Sequence, residues 1–520
     1  MAFNRASETD NGRLAALNLA AAGYAAQDAY SAYQTNPSAA APSSANGMGS
    51  PQNEAVNLKL GIAASSASSQ TVVEQTTQRG SNIKSGGDIN VISTEGDLTV
   101  TGSTISGQNV LSDSAKDLVL QSAEETLSQH STSQSGSAGV GILIGQSGFG
   151  FYVEGSAARG KADGDDVSHA ETVVNASDTL TLRSVGDTTL QGAQVAGETV
   201  KASIGGDLKL ISEQDTSVYK NKDQSASGQV VIGYGSSVSA SYNQSKIDSD
   251  YASVTQQAGI QAGSGGFDIN VGGGTTLTGA AIASTADASK NRLSTDSLII
   301  TDIKNKAEYE ASSVGVNASS SWSSSAVGTA MSMAPALLTP QGDNASNTTT
   351  SGIAQGTLDI RNGDIGAVAN LERDVTELQQ AGLKPIFDEQ EVRENTEAGQ
   401  LAGQLAFRAA GDIARSITNE YDQAQRQKEG AEAALAILND PNATSEQRAS
   451  VIATPEQLQA AIAQADSVMT ANQGSYDLWK DGGTGKAILH AVAGALAAGL
   501  GGGDALGGAM GAALPSWAGR

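Results

Sequence analysis

The sequence predicts a mainly β chain: a right-handed parallel β-helix with β-hairpin excursions every 90 residues, followed by an α-helical C-terminal region. Three observations support this prediction. A short strand motif behind Gly-Asp turns recurs at fixed spacing, large side chains are scarce, and helical periodicity replaces the repeat beyond about residue 370. Fixed-period repeats are typical of solenoids, in which each unit buries its apolar face only against its neighbours.

Composition limits both the core and the chemistry. The chain has 520 residues with 61 Gly but only 3 Trp, 11 Tyr and 6 Phe, which suits a narrow solenoid core better than a compact globule. A formal net charge of −25 argues against nucleic acid as a partner, because nucleic-acid binding needs a basic face. The absence of Cys excludes disulfides, thiol catalysis and Cys-ligated metal sites.

Residues 1–33 are predicted to form an N-terminal helix, on the evidence of helical spacing that begins at Leu14 within the Ala-rich stretch 12–33. Residues 34–55 hold three prolines among Ser, Ala, Asn and Gly and are predicted to be a flexible linker. The first residues lack an apolar run of signal-peptide length. We therefore expect one of two explanations. Either the chain is exported without a Sec signal at this N-terminus, or the sequence is an internal piece of a longer exported chain.

Residues 56–327 carry the repeat. Its strand motifs begin at an Asp, and equivalent Asp residues of successive units lie 90 residues apart. The equivalent sets are Asp88, Asp178 and Asp268; Asp97 and Asp187; and Asp117 and Asp207. Within a unit the rungs are shorter, as the spacing from Asp97 to Asp117 and from Asp187 to Asp207 shows. A 20-residue rung with three short strands predicts the parallel β-helix.

One rung, residues 97–116, shows how the residues would be used. Four apolar side chains are predicted to point inward: Leu98, Val100, Ile105 and Val110. Three glycines are predicted to form corners where the backbone φ is often positive: Gly96, Gly102 and Gly107. The Asp at each rung start is predicted to cap the turn with its carboxylate; the calcium-binding nonapeptide pattern is absent.

Hairpins are predicted between the rungs. Residues 140–155 and 230–244 alternate apolar with small or polar residues and lie 90 residues apart. A third copy is predicted at 314–322 and a half-copy at 58–69, while 121–137 and 156–177 are predicted to be extended arms. The candidate contact residues are apolar and aromatic side chains of these hairpins: Ile142, Ile144, Phe149, Phe151, Tyr234 and Tyr242. Packing along the flank of the solenoid is the alternative role for them.

The C-terminal part is predicted as a linker with a short β segment over 328–369 and a helical region over 370–520. A stripe with fourfold spacing predicts the buried face of a long helix: Leu401, Leu405, Ala409, Ile413, Ile417 and Tyr421. Thr454 followed by Pro455 and Gln457 predicts a helix start, and Pro385 and residues 439–441 predict stops. Residues 487–503 lack charge and predict either membrane insertion or a buried Ala/Gly helical hairpin.

The repeats DINVISTEGDLTVTGSTISG and GDTTLQGAQVAGETVKASIGGDLKLISEQDTSVY resemble the haemagglutinin repeats of filamentous-haemagglutinin and CdiA-type exoproteins. The stretch LWKDGGTGKAILHAVAGALAAGL is similar to the segment before the pretoxin region of these proteins. The resemblance covers roughly residues 56–513 and rests on long repeat strings, which are more specific than a short motif.

The resemblance implies a secreted bacterial surface protein, exported by a partner outer-membrane transporter in two-partner secretion. It further implies a non-enzymatic delivery part of a contact-dependent growth inhibition system, with a target-cell outer membrane or surface receptor as partner and a possible downstream toxin and immunity protein. The family's secretion domain, VENN-type motif and toxin domain are not found in this sequence. A surface adhesin that binds host cells is the alternative.

Chemical motifs are sparse. A β-helical glycan-active enzyme is a further alternative, but the repeat accounts for most Asp positions without a converging pair. The three histidines, His130, His169 and His490, lack ligand spacing, so packing or surface roles are favoured over a metal. The Gly-rich stretch 482–486 departs from the phosphate-loop pattern at both ends. No cofactor and no catalytic residue is predicted.

Overall fold

The computed structural model of the chain describes residues 13–22, 58–145, 148–233, 237–321, 330–336, 341–362, 371–380, 382–480 and 483–500. Residues 13–22 form helix α1; the rest of the predicted N-terminal helix and the predicted linker 34–55 lie outside the described residues. From residue 58 to residue 360 the described chain is mainly β, and from residue 389 it is mainly helical, as the sequence predicts.

The strands of the described residues fall into three sheets. The first parallel sheet contains β2 (Asn82–Lys84), β3 (Ile89–Ser93), β5 (Thr104–Gly107), β6 (Val110–Ser114), β10 (Thr172–Ser184), β12 (Ala193–Ile204), β16 (Gly259–Val271), β18 (Ala281–Ser284), β19 (Arg292–Thr295), β24 (Gly352–Ile353) and β25 (Thr357–Ile360). The second contains β4 (Leu98–Thr101), β7 (Leu118–Gln121), β11 (Thr188–Gln191), β13 (Leu208–Ile211), β17 (Thr275–Thr278) and β20 (Leu298–Thr301). The third sheet is antiparallel and contains β1 (Leu58–Thr76), β8 (Ala123–Gly145), β9 (Gly148–Ala170), β14 (Asp215–Gly233), β15 (Ser237–Ser253), β21 (Ile303–Ser321), β22 (Ala330–Ala336) and β23 (Gln341–Thr349).

The second parallel sheet follows the repeat of the sequence. Leu118 pairs with Leu98, which lies one rung earlier in the same unit, and with Thr188 of the next unit. Thr188 in turn pairs with Leu208, one rung further along the chain. Equivalent positions of successive rungs therefore stack directly on one another, and each strand between the two end strands obtains backbone hydrogen bonds from the rungs on either side.

One continuous apolar core lies between the two parallel sheets. The strands alternate buried and less buried residues, as in β6, β10 and β12. Of the four side chains predicted to point inward, Ile105 and Val110 are buried, and Leu98 and Val100 pack against the same core while partly exposed. Phe267 is the largest fully buried side chain of the described residues, and the rest of this core is aliphatic, as the scarcity of aromatic residues indicates.

The glycine corners are only partly as predicted. Gly102, Gly192 and Gly279 share a φ of about +55° (54°, 55° and 55°), a conformation that glycine adopts at little cost. Gly96 and Gly107 are not among the positive-φ residues, so that prediction was wrong for both. At Gly107 the constraint is space: a Cβ there would lie 3.0 Å from the carbonyl oxygen of Gly87.

The predicted hairpins are long, and they pair with one another. The hairpin strands begin at residues 123, 215 and 303, close to the predicted period. Instead of standing apart as separate arms, β8–β9, β14–β15 and β21 join β1 in a single antiparallel sheet with the order β1-β8-β9-β14-β15-β21-β22, in which β23 also pairs with β21. The half-copy predicted at 58–69 supplies the edge strand β1.

Two boundaries differ from the sequence prediction. Residues 328–369 were predicted as a linker with a short β segment, and their described part contains four strands, of which β22 and β23 extend the antiparallel sheet on β21. Residues 371–380 and 382–388, predicted as helical, hold no helix. Leu378 of this segment packs on Ala281 and Ala283 of β18, so burial against the parallel sheet outweighs helix propensity.

The helical region contains α2 (Glu389–Asn439), α3 (Ser445–Ala449), α4 (Pro455–Trp479) and α5 (Thr484–Leu500). Thr454 caps α4 in a capping box with Gln457, and Pro455 occupies the first turn, as predicted. Helix α2 ends at Asn439, at the predicted stop, while Pro385 precedes α2 and ends no helix.

The predicted buried stripe of α2 was wrong by one position. Beyond the first turns of α2, where Val392 is buried, the buried apolar side chains are alanines: Ala398, Ala402, Ala410, Ala414, Ala424 and Ala431. Ile413 of the predicted stripe is 45% exposed. Helices α2 and α4 also contact each other through the stacked rings of Tyr421 and Tyr476, whose centroids lie 3.9 Å apart.

Candidate interaction surface

The antiparallel sheet has two unlike faces, which its register defines. Because side chains alternate along a strand, residues paired across neighbouring strands share a face. Leu60 pairs with Ile142, Ile142 with Phe151, and Phe151 with Ile232. Four apolar side chains from β1, β8, β9 and β14 therefore form one row near the ends of the hairpins.

A second apolar row lies beside the first on the same face. Ile62 pairs with Val140, Val140 with Val153, and Val153 with Val230. We call the eight side chains of the two rows the tip face: Leu60, Ile62, Val140, Ile142, Phe151, Val153, Val230 and Ile232.

The tip face is open to solvent. Its residues are between 39% exposed at Val230 and 78% exposed at Ile62, with Phe151 at 57% and Ile232 at 65%. Single exposed apolar residues are normal on proteins, but a contiguous patch of this kind marks an interaction surface. The sheet therefore presents a flat apolar surface that the described part of the chain leaves uncovered.

The opposite face of the same sheet is covered in part. Tyr152 is 5% exposed and lies across two glycines; a Cβ added at Gly141 would fall 2.6 Å from its ring. Further along this face, Val392 of α2 packs on Ile247 and Ala311. Helix α2 thus covers the part of this face that lies on β15 and β21, while the described residues leave the two apolar rows of the other face open.

Away from the tips, the open face becomes charged, and several of its charges are paired. Lys161 contacts Asp163 with Nζ 2.7 Å from the carboxylate, and Lys246 pairs with Asp248 and Lys306 with Asp250. The first two ion pairs lie within one strand and the third joins two adjacent strands. All three lie further from the hairpin ends than the two apolar rows do. The apolar tips are thus the part of this face that suits an apolar ligand.

The six predicted contact residues fare differently. Ile142 and Phe151 lie in the tip face, 40% and 57% exposed. Tyr242 lies on the same face of β15, and its hydroxyl donates to Oε1 of Gln244 at 2.9 Å. Ile144 and Phe149 pair with each other in the backbone register beside the β8–β9 turn. Tyr234 lies outside the described residues.

Sequence reasoning missed the other members of the tip face. Val140, Val153, Val230 and Ile232 lie within the predicted hairpins but were not singled out, and Leu60 and Ile62 lie in the predicted half-copy. The missing information was the pairing between hairpins 90 residues apart, which brings the rows together. The sequence does contain one indication of this face: apolar residues alternate with small or polar ones in the same way in both repeated hairpins.

A cluster of titratable groups lies where two hairpins leave the parallel sheets. His169 Nε2 lies 3.0 Å from Glu213 Oε2, and His169 Nδ1 lies 3.3 Å from Asp215 Oδ1. The hydrogen bond with Asp215 and the nearby carboxylates, which include Glu124, raise the pKa of His169 despite its burial. Burial raises the pKa of Glu171 to about 7.

Asp215 is held from several sides in the same cluster. Its carboxylate accepts hydrogen bonds from the His169 backbone N–H at 2.9 Å and from Thr255 Oγ1 at 2.8 Å. The pKa of Asp215 is lowered, because these bonds and the His169 ring together outweigh its burial. The cluster ties the end of β9 to the start of β14 and to the residues after β15.

The Asp residues of the rung turns serve the backbone. The N–H of Asp117 donates to Asp97 Oδ1 at 3.2 Å, that of Asp187 to Asp117 Oδ1 at 2.8 Å, and that of Asp207 to Asp187 Oδ1 at 2.8 Å. The N–H of Gly274 donates to Asp207 Oδ1 at 2.9 Å. We call this series the Asp ladder. Each carboxylate caps the turn of the following rung, one rung further than predicted.

The described residues offer little else for chemistry. They contain no group of three or more His, Cys, Asp or Glu side chains that could hold a metal ion. His130 contacts Asp163 on the open face. Across the same described ranges, no helix has the length and apolar character needed to cross a membrane.

Comparison with known proteins identifies the repeat. Residues 61–226 match the haemagglutinin repeat family. A deoxyribonuclease CdiA from Dickeya dadantii is 37% identical over 365 residues, which cover 67% of this chain and 11% of the relative. A tRNA nuclease CdiA from Yersinia mollaretii is 36% identical over 414 residues, 76% of this chain and 13% of the relative.

A third relative, a 16S rRNA endonuclease CdiA from Enterobacter cloacae, is 33% identical over 380 residues, 70% of this chain and 11% of the relative. The chain thus spans only 11–13% of the length of these three relatives. No solved structure matches it.

Proposed function

The chain is a haemagglutinin-repeat protein of the CdiA and filamentous-haemagglutinin kind, and on that premise we propose that it is a delivery segment of a contact-dependent growth inhibition exoprotein. In this role the repeats form a rigid support on the bacterial surface. The antiparallel sheet makes contact with the target cell, and the helical region connects the support to a toxin.

The support is a right-handed parallel β-helix in this proposal. The two parallel sheets share one core, and their strands alternate along the chain, with successive rungs paired as Leu98 is with Leu118 and Thr188 with Leu208. Right-handed crossover is the rule for parallel strands. The apolar core is continuous across the described rungs, which supports a single connected solenoid in this role.

The tip face is the single observation that carries the contact role. Its eight apolar side chains come from four strands and are open to solvent, whereas the large apolar side chains Tyr152 and Ile247 of the opposite face are buried. A stalk would have no need of such a surface. Of the six contact residues predicted from the sequence, Ile142 and Phe151 are at its centre.

Location and partners follow from the same proposal. The chain is secreted and displayed at the cell surface through a partner outer-membrane transporter of the full-length protein. Its partner on the target cell is the outer membrane or a receptor there, and a downstream toxin with its immunity protein completes the system. The net charge of −25 argues against nucleic acid as a ligand of this segment.

The segment itself is proposed to be non-enzymatic. The relatives are named for deoxyribonuclease, tRNA nuclease and 16S rRNA endonuclease activities, and we assign those activities to parts of the relatives outside the matched region. The Asp ladder supports this view, since those carboxylates accept backbone hydrogen bonds. Incubation of the chain with DNA, tRNA and ribosomal RNA is expected to leave all three intact, and cleavage of any of them would overturn this part.

Binding to living cells tests the proposal against its alternative, a surface adhesin for host cells. The purified, labelled chain is mixed with Gram-negative bacteria and, separately, with eukaryotic cells. Binding to bacteria alone is the expected result. Binding to eukaryotic cells alone would replace delivery with adhesion, and binding to neither would contradict any contact role for this segment.

A further inference from the structure

Strand β1 is a long and unprotected edge of the antiparallel sheet. Among the described residues it pairs with β8 alone, along all 19 of its residues and without a bulge. Its side chains from residue 60 to residue 76 are exposed. Natural edge strands are usually short, or they carry Pro, Lys or a bulge that prevents further pairing. Residues 60–76 contain no Pro and no Lys, so the outer backbone groups of β1 can accept another strand.

The opposite edge of the sheet is protected. Strand β22 contains Pro335, which has no backbone N–H to donate. Strand β23 is held by α2, since Nε2 of Gln341 donates to the carbonyl oxygen of Val392 at 2.9 Å. Of the two edges of this sheet in the described residues, β1 is therefore the one suited to strand addition.

The sequence of β1 is nearly symmetric about Ala67. Of the five residue pairs placed evenly around Ala67, four have the same or similar side chains: Ser66 and Ser68, Ser65 and Ser69, Ala63 and Thr71, and Ile62 and Val72. Ala64 and Gln70 form the unlike pair. Two copies of β1 placed antiparallel about Ala67 would therefore bring like side chains opposite each other.

This arrangement gives partners to the exposed valines of β1. Val72 is 41% exposed and Ile62 is 78% exposed, and both lie on one face of the strand because an even number of residues separates them. Ile62 of each copy would lie opposite Val72 of the other. Val73, which is 56% exposed, would lie opposite Gly61 on the other face, where no side chain obstructs it.

The sheet already contains the serine contact that this pairing needs. Ser137 pairs with Ser156 across β8 and β9, and their hydroxyl oxygens lie 2.7 Å apart. Ser227 pairs with Ser241 across β14 and β15, and their hydroxyl oxygens lie 2.6 Å apart. The four serines next to Ala67 would meet their counterparts in the same way.

We propose that β1 pairs antiparallel with β1 of a second copy of the chain, centred on Ala67, so that one sheet continues through two molecules. In the antiparallel sheet of a second copy, β8, β9, β14 and β15 have partners on both sides, and β1 is the open strand that it offers. The pairing adds backbone hydrogen bonds along both edges. This self-association is separate from the contact role of the tip face.

Single-cysteine variants test the register, because the chain has no Cys. Ala67→Cys places the two thiols at the two-fold axis, where opposed Cα atoms lie about 4.5–5.5 Å apart, within disulfide range. The matched control is Ser69→Cys, which is exposed on the same face of the same strand. Its two thiols would be offset by four residues, or about 13 Å along the strands.

Both variants are oxidised mildly at the same low protein concentration, and the disulfide-linked dimer is followed by gel mobility and intact mass. Ala67→Cys is expected to form this dimer on the order of tenfold faster than Ser69→Cys. Equal rates, or a faster rate for Ser69→Cys, would overturn the proposed pairing.

A charge at the centre of the pair gives a second test without a disulfide. Ala67→Lys places two ammonium groups opposite each other, whereas Thr77→Lys, exposed just beyond the end of β1, is the matched control. With folding verified by circular dichroism, sedimentation velocity is expected to show dimers for the wild type and Thr77→Lys and monomers for Ala67→Lys. A wild-type chain that stays monomeric would overturn the proposal and leave this edge to a strand of another protein. Dimers of Ala67→Lys as stable as those of the wild type would also overturn it.

Discussion

The carboxylate of Asp117 accepts a hydrogen bond from the backbone N–H of Asp187 at 2.8 Å, although 70 residues separate the two. The whole β8–β9 hairpin lies between them in sequence. The contact joins the turn of one 90-residue unit to the turn of the next. The same contact recurs at the following rung, where the N–H of Asp207 donates to Asp187.

We predict that Asp187→Ala destabilises the chain by about 1–3 kcal/mol, because it removes the acceptor for the N–H of Asp207 and the partner of Lys209. Urea unfolding at pH 7 measures the loss. The control is Asp178→Ala, since Asp178 is exposed and its carboxylate takes no part in the Asp ladder. An equal effect of the two substitutions would contradict a structural role for the ladder.

Asp187 is also expected to make the stability of the chain depend on pH. The hydrogen bond from Asp207, and then Lys209, lower the pKa of Asp187 in the folded chain. A carboxyl whose pKa is lowered on folding stabilises the fold above its unfolded pKa and loses that contribution as the pH falls through the folded value. The gap between wild type and Asp187→Ala is therefore expected to shrink between pH 5 and pH 2, as measured by urea midpoints.

The cluster at the base of the hairpins predicts the opposite trend. Burial raises the pKa of Glu171 from 4.5 to about 7, so the folded chain holds this proton after the unfolded chain has lost it. Stability conferred by Glu171 therefore falls as the pH rises from about 4.5 to 7. His169, whose pKa is also raised, loses its stabilising contribution as the pH rises through its folded value.

We expect Glu171→Gln, which mimics the protonated acid, to stabilise the chain by about 1–3 kcal/mol at pH 8 and by little at pH 4. Thermal and urea unfolding across this range provide the measurement. Glu95→Gln, on an exposed turn, is the matched control and should change stability equally little at both pH values. A pH-independent effect of Glu171→Gln would rule out this assignment.

The effect of a Gly→Ala substitution on stability is expected to depend on the position of the glycine. Gly192 has φ +55°, and a Cβ there would lie 2.5 Å from Ser122 Oγ, so Gly192→Ala is expected to cost about 1–3 kcal/mol. Gly430 in α2 has open space around its Cβ position, and Gly430→Ala should stabilise the helix by about 1 kcal/mol. Chemical denaturation measures the free energy of unfolding of both variants. Changes of the same sign for the two variants would contradict the backbone roles assigned to these glycines.

The parallel sheets were predictable from sequence because the repeat acts at short range. Within each rung, the Asp marks the turn and the alternating Leu and Val residues mark the buried face of the strand. Leu98 and Leu118 pair with each other, as the predicted rung spacing requires. The repeat sequence is also specific enough for residues 61–226 to match the haemagglutinin repeat family. The strand content and the helical C-terminal region were therefore predicted correctly.

The antiparallel sheet was less predictable because its order depends on pairing between distant segments. Ser, Gly and Ala dominate β8 and β9, and such strands specify register only weakly. Nothing local indicates that Val153 will pair with Val230. Helix α2 gave a similar difficulty, because alanines such as Ala402 and Ala410 are buried in place of the larger residues.

Binding of tip-face variants to bacterial cells tests the central claim most directly. The Phe151→Ser/Ile232→Ser variant removes two exposed side chains that pair across β9 and β14, and Val185→Ser, which is 72% exposed in the wild type but lies outside the sheet, is the matched control. With folding verified by circular dichroism, the account predicts binding on the order of tenfold weaker for the tip variant and unchanged for the control. Unchanged binding by the tip variant would contradict the assignment of contact to this face.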